Sequence, residues 1–145
     1  MNCIKSDKST VLIVLGLQPG EFVLESVRQA IADNDIRNGV VVSGVGTLKK
    51  CVMHYVENTG FPPSDKFFTI EKPLELVSLA GTIADGEPHL HAVVSCRDKD
   101  VWAGHLEDKS EVLYLAEIVI IKCNSASMKR MTDQKRKVKL LAAIK

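Results

Sequence analysis

The chain has 145 residues, which fits one domain around one core. Its 46% hydrophobic content excludes a disordered polymer, and its 5% aromatic content leaves no stacking surface for single-stranded nucleic acid, so the core is made mainly of Val, Ile, Leu and Ala. The net charge of +1 hides an asymmetry: residues 1–123 hold 12 Lys/Arg against 17 Asp/Glu, net −5, whereas residues 124–145 hold seven Lys/Arg and one Asp, net +6. The body therefore repels phosphate backbones and only the tail attracts them.

In chain order, residues 1–10 read as an N-terminal extension. Val11–Leu17 is an apolar run about a third of the length that spans a bilayer, so no membrane contact is expected. Lys5 and Lys8 before it invite a signal peptide, but Asp7 and the following Gln18-Pro19-Gly20-Glu21, with no small-x-small site, favour a first strand buried on both faces. From Glu21 the period becomes helical: Val23, Leu24, Val27, Ala30 and Ile31 share one face, Glu21 opens the first turn, and Asn34-Asp35 ends the helix. Gly39–Ser43 predicts a strand, Gly44-Val45-Gly46-Thr47 a tight glycine turn, and Leu48–Val56 a third strand. Residue 49 is Lys and a strand pattern follows, so Gly44-x-Gly46 is not a dinucleotide fingerprint.

Asn58–Asp65, with Gly60, Pro62 and Pro63, reads as a loop. Phe67–Ile70 and Leu74–Ile83 read as strands divided by Lys72-Pro73. Asp85-Gly86 signals a hairpin into His89–Cys96, and the charged turn at residues 97–100 leads to Val101–Leu106. Val112–Lys122 closes the series. One helix amid many strands excludes a βαβ repeat and predicts an α+β domain over residues 11–123, with an antiparallel or mixed sheet and the helix packed on it. Cys51, Cys96 and Cys123 sit in apolar runs and, with Cys3, form no C-x-x-C pair, which predicts free thiols in a reducing, cytoplasmic compartment.

His89 and His91 are two apart in a strand and so share a face, while Leu90, Ala92, Val94 and Cys96 point to the core. Antiparallel pairing across residues 97–100 brings His105 within reach. Three neutral imidazoles on one patch suit Zn²⁺ or another divalent transition metal; the alternative is ordinary hydrogen-bonded histidines near a sheet edge. Glu87 is a candidate outer partner or general base, with an ordinary turn carboxylate as the plainer reading. His54 reads as a strand residue rather than a fourth ligand. Glu117 either meets a partner or faces outward, and Trp102 lines a ligand mouth or caps the core.

The ordered series Gly20-Glu21, Ser43–Leu48, Leu79–Ala84, Asp85–His91, Gly104-His105-Leu106 and Ala116–Ile120 resembles the plant-and-prokaryote-conserved (PPC) domain. The resemblance implies an α+β fold, a homotrimer and contacts with other proteins. In plant members the domain follows an AT-hook and the proteins are nuclear DNA-binding regulators; some stand-alone prokaryotic members look like metal-binding proteins through their histidines. Many stand-alone members carry P-H-x-H-x-H, where this chain has Val93 as the third position, and Ala103 replaces the first glycine of a pair before the last histidine. No R-G-R-P core occurs in these residues.

Three functions follow as expectations. The first is a trimeric binding or interaction module with a metal or small-ligand site at His89, His91 and His105. The second is a zinc-dependent hydrolase or lyase using Glu87 as base. The third is a DNA-binding regulator acting through residues 124–145, which would place it in the nucleus. That tail, with Lys135-Arg136-Lys137-Val138-Lys139, otherwise reads as a solvated segment or a terminal helix.

Overall fold

The computed structural model describes residues 10–144, so the expected N-terminal extension lies outside it except for Thr10, as does Cys3. The chain forms β1 (Thr10–Leu17), α1 (Val23–Asp33), β2 (Asn38–Val56), β3 (Asp65–Ala84), β4 (Glu87–Ser95), β5 (Val101–Leu106) and β6 (Glu111–Cys123). These strands make one antiparallel sheet in the order β1-β6-β2-β3-β4-β5, and β5 returns to pair with β2, so that β2 to β5 close on themselves. A second, two-stranded sheet follows, β7 (Met128–Thr132) with β8 (Lys139–Ala143).

The helix buries Val23, Leu24, Val27, Ala30 and Ile31, the five residues its periodicity selects. Each of the four larger ones, Val23, Leu24, Val27 and Ile31, contributes about 1.5–3 kcal/mol relative to exposure. They join Leu17, Ala116, Ile118 and Ile120 from β1 and β6 and Leu48, Met53, Leu79, Leu90 and Leu106 from the closed strands in one core. Glu21 lies before the helix, and Glu25 takes its place in the first turn, where it accepts a hydrogen bond from the Lys109 backbone N–H at 2.8 Å.

Four sequence expectations change. β1 is buried on one face only, because it is an edge strand backed by core on one side; Leu12 and Val14 remain 64% and 62% exposed. The expected glycine turn at residues 44–47 is absent: β2 runs unbroken, and its register shifts against β6 around Gly46 make bulges there. β3 likewise passes through Pro73, which falls opposite the Leu48/Lys50 register shift, where a missing N–H costs no ladder bond. The basic C-terminal segment is neither a solvated tail nor a helix but the β7–β8 hairpin, anchored by buried Met128, whose N–H donates to Asn38 Oδ1 at 2.9 Å.

The Asp85-Gly86 turn appears as its chemistry requires, with φ of 54° and 80° at its two residues. Glu117 faces outward and is exposed, and Trp102 packs partly buried against the core with Lys72 Nζ 4.9 Å above its ring. Among the described residues no helix is long and apolar enough to cross a membrane.

Two glycines set strand spacing at the sheet's closing edge. A Cβ at Gly81 would lie 2.0 Å from the His89 carbonyl oxygen, and one at Gly104 would lie 2.6 Å from the His54 carbonyl oxygen. Gly81→Ala is therefore expected to lower unfolding stability by roughly 2–4 kcal/mol in urea titrations. Gly60→Ala, whose Cβ would meet nothing closer than 3.7 Å, should change it by under about 0.5 kcal/mol. Equal effects at the two positions would refute this account of the β3–β4 spacing.

Candidate metal centre

The three expected histidines come together. β4 presents His89 and His91 on its outer face, since Leu90, Ala92 and Val94 fill the core. β5 pairs with β4 at His91↔His105 and with β2 at His54↔His105, so His91, His105 and His54 form one row across three strands. The ring centroids of His89 and His105 are 4.7 Å apart, those of His91 and His105 5.4 Å, and those of His89 and His91 5.3 Å. One nitrogen from each of the three rings lies within 4.8 Å of the others.

One edge of the donor set has the length that a tetrahedral ion needs. His89 Nε2 and His91 Nε2 are 3.3 Å apart, and metal–nitrogen bonds of about 2.0–2.1 Å at tetrahedral angles give an edge of about 3.3–3.4 Å. Two of the rings, His89 and His105, are shifted toward the neutral form that ligation needs. Burial, reinforced by the neighbouring His89, pushes His105 from 6.5 down to about 4. Burial and then the Arg130 charge move His89 in the same direction.

His54 is a strand residue, as expected, but it also joins the cluster. Its ring stacks on His105 at 4.5 Å. Its Nδ1 donates to Glu107 Oε1 at 2.6 Å, and because a carboxylate only accepts, that bond sets the hydrogen on Nδ1. His54, His105 and Glu107 make a second group of close ligand atoms. Sequence spacing could not single out His54, because its link to His105 and Glu107 runs through the β2–β5 pairing alone; Glu107, two residues after His105, carries the one local signal, an H-x-E spacing.

Glu87 sits at the start of β4 on the rim of the same pocket. Its carboxylate has no hydrogen-bond partner among the described residues, although its charge acts on Arg130, and its backbone carbonyl accepts from Arg130 Nη1 at 2.8 Å. Val93 pairs with Ala103, two register positions beyond the His91–His105 pair and on the same face of the sheet. Cys51 is buried, which pushes its thiol up to about 11 despite the Ser110 hydrogen bond, so it is a packing residue rather than a ligand.

The family model of the Plants and Prokaryotes Conserved (PCC) domain matches residues 4–124. A plant- and prokaryote-conserved protein from Pyrococcus horikoshii superposes with a TM-score of 0.78 at 24% identity, covering 100% of this chain and 98% of that one. A metal-containing protein from Archaeoglobus fulgidus superposes with a TM-score of 0.82 at 20% identity, covering 98% and 99%. At these identities both similarities speak to the fold. The bifunctional protein GlmU of a Synechococcus strain is 25% identical over 119 residues, 82% of this chain but only 18% of GlmU. The chain thus spans less than a fifth of that curated relative.

The depressed His105 sets a pH dependence for the metal-free protein. The unfolded imidazole takes a proton near pH 6.5 and the folded one only near pH 4, so between those values the unfolded state binds more protons. Stability is expected to fall as the pH drops from about 6.5 to about 4, and less steeply in His105→Asn. Urea unfolding in the presence of a chelator at stepped pH measures it; parallel curves for the two proteins would contradict the assignment.

Proposed function

The chain belongs to the Plants and Prokaryotes Conserved domain family, and from that premise we propose that it is a self-associating binding protein whose ligand site is a metal centre held by His89, His91 and His105. The observation that carries the reading is the convergence of the three imidazoles, with two Nε2 atoms one tetrahedral edge apart. The metal-containing Archaeoglobus protein of the same fold supports it. A divalent transition metal bound there, Zn²⁺ being the best match to three imidazoles, supplies a Lewis acid with a coordination position open to ligand.

The chain's own residues do the rest. The β4–β5–β2 pairing holds the rings in place, and burial keeps His89 and His105 neutral. Glu107 orients His54, which packs against His105. A binding role fits better than hydrolysis, since no hydrogen bond orients the Glu87 carboxylate as a base. The nucleic-acid reading is weakened by the fold of residues 128–143, which spends cations internally. Lys129 pairs with Asp85 at 3.2 Å, Arg136 with Asp133 at 3.0 Å, and Arg130 bonds the β3–β4 edge.

Self-association is inferred from the outer face of β1, β6 and β2. Leu12, Val14, Leu115 and Val45 project there, and all are exposed in the single chain. A patch of large apolar side chains on a soluble surface marks an interface, and the homotrimer implied by the motif series would cover it.

Two experiments test these readings. Calorimetric titration of chelator-treated protein with Zn²⁺ should show one site per chain. His89→Ala, His91→Ala and His105→Ala should each weaken it by more than about 100-fold, and His54→Ala by roughly 10–100-fold as an outer partner. Absence of zinc uptake by the unaltered protein would end the metal reading. Light scattering should give three times the monomer mass, and Leu12→Glu with Val14→Lys should reduce it to the monomer with the circular dichroism unchanged. A monomeric unaltered protein would end the self-association reading.

A further inference from the structure

The hairpin that sequence reading leaves as a basic tail closes one side of a pocket over the histidines. A cavity of about 520 Å³ lies between the β3–β4 turn and β7–β8, lined by His89 and His105, by the cations Lys129, Arg130 and Lys139, and by the carboxylates of Asp85 and Glu87. That volume suits a small molecule.

The cations in this pocket are not equivalent. Lys129 is neutralised by Asp85, which also pairs with Arg37 at 3.1 Å. Arg130 is different. Its Nη1 donates to the Glu87 carbonyl at 2.8 Å, and its Nη2 donates to the Thr82 carbonyl at 3.0 Å and to Thr82 Oγ1 at 2.7 Å. All three acceptors are neutral, so the guanidinium is held firmly in place while no carboxylate forms an ion pair with it among the described residues. Its partial burial already disfavours its charge, as the lowering of its pKa by desolvation shows, with Glu87 nearby offsetting this from a distance. Lys139 adds an exposed ammonium with no bonded partner among the described residues. A fixed, partly buried guanidinium to which no carboxylate is bonded among the described residues, beside an exposed ammonium, is a site for an oxyanion, with the Glu87 carboxylate as the nearby charge it must outcompete.

We propose that this pocket binds a small anionic molecule, whose carboxylate or phosphate group is taken up by Arg130 and Lys139 while the remainder extends toward His89 and His105. The proposal deepens the metal-centre reading and rests on it for the second half of the ligand's contacts. The basic C-terminal segment then serves recognition of a small acid rather than of a nucleic-acid backbone. The ligand's anionic group is the shared feature of organic acids and phosphate esters, and the two are separated by the probe used.

The test is an NMR titration of the full chain, zinc-loaded and zinc-free, with inorganic phosphate and in parallel with succinate. At least one probe should shift resonances of residues 82–89 and 128–140 saturably, with a dissociation constant of about a few millimolar or tighter. Lys139→Gln, an exposed position that leaves the hairpin's own bonds intact, should weaken binding about tenfold. Lys135→Gln removes the same charge from the hairpin outside the pocket and should change it less than about twofold. No saturable shift with either probe up to about 50 mM, or equal weakening by the two substitutions, overturns the proposal. Zinc uptake is measured on the same samples. Zinc uptake without anion binding overturns the pocket and leaves the metal centre standing. Anion binding in zinc-free protein that is sensitive to Lys139→Gln upholds the pocket even where no zinc is taken up.

Discussion

The return of β5 to β2 is the contact on which the rest of the molecule depends. It consists of two residue pairs, Met53↔Leu106 and His54↔His105, and it is open to the backbone only because residue 104 is glycine. One pair of the two faces inward and completes the core with Met53 and Leu106. The other faces outward and completes the histidine row. Stability and site geometry are thus two faces of one strand junction, so a side chain that wedges the strands apart at position 104 disturbs both.

The site's electrostatics follow from the same packing. Stacking His105 against His54 and setting it edge-on to His89 removes water from the ring and surrounds it with other imidazoles. Its proton is disfavoured first by desolvation and then by its neighbours. The outcome is a cluster of imidazoles with lone pairs available near neutrality, which is the state a cation can use. Arg130 lies on the opposite side of the pocket with Lys129 and Lys139, and its charge reaches His89. Cation-seeking and anion-seeking groups face each other across one cavity, the arrangement a ligand bridging metal and guanidinium would need.

The apolar pattern of β1 shows a limit of reading burial from sequence. A run such as Val11–Leu17 looks like a strand covered on both faces. In the single chain its inner side chains touch the core while Leu12 and Val14 project into solvent. The sequence pattern and the single-chain structure agree if a neighbouring copy supplies the second cover. The same reasoning holds for Leu115 and Val45 on the adjoining strands, with Glu117 among them.

Periodicity by itself determined the α+β class, the five buried residues of α1, the Asp85-Gly86 hairpin and the common face of His89 and His91, because each depends on neighbours within a few positions of the chain. The motif series carried the family membership. Lengths of β2 and β3 were misjudged where Gly44, Gly46 and Pro73 looked like breaks, since a bulge absorbs such residues only when a partner strand shifts register beside them. Tertiary structure alone decided that His54 joins His105 and Glu107, that β5 closes on β2, and that the basic C-terminus folds back as a hairpin onto the β3–β4 edge. Those contacts join residues some 40 to 60 positions apart, and no local spacing encodes a distance that only the closed sheet creates.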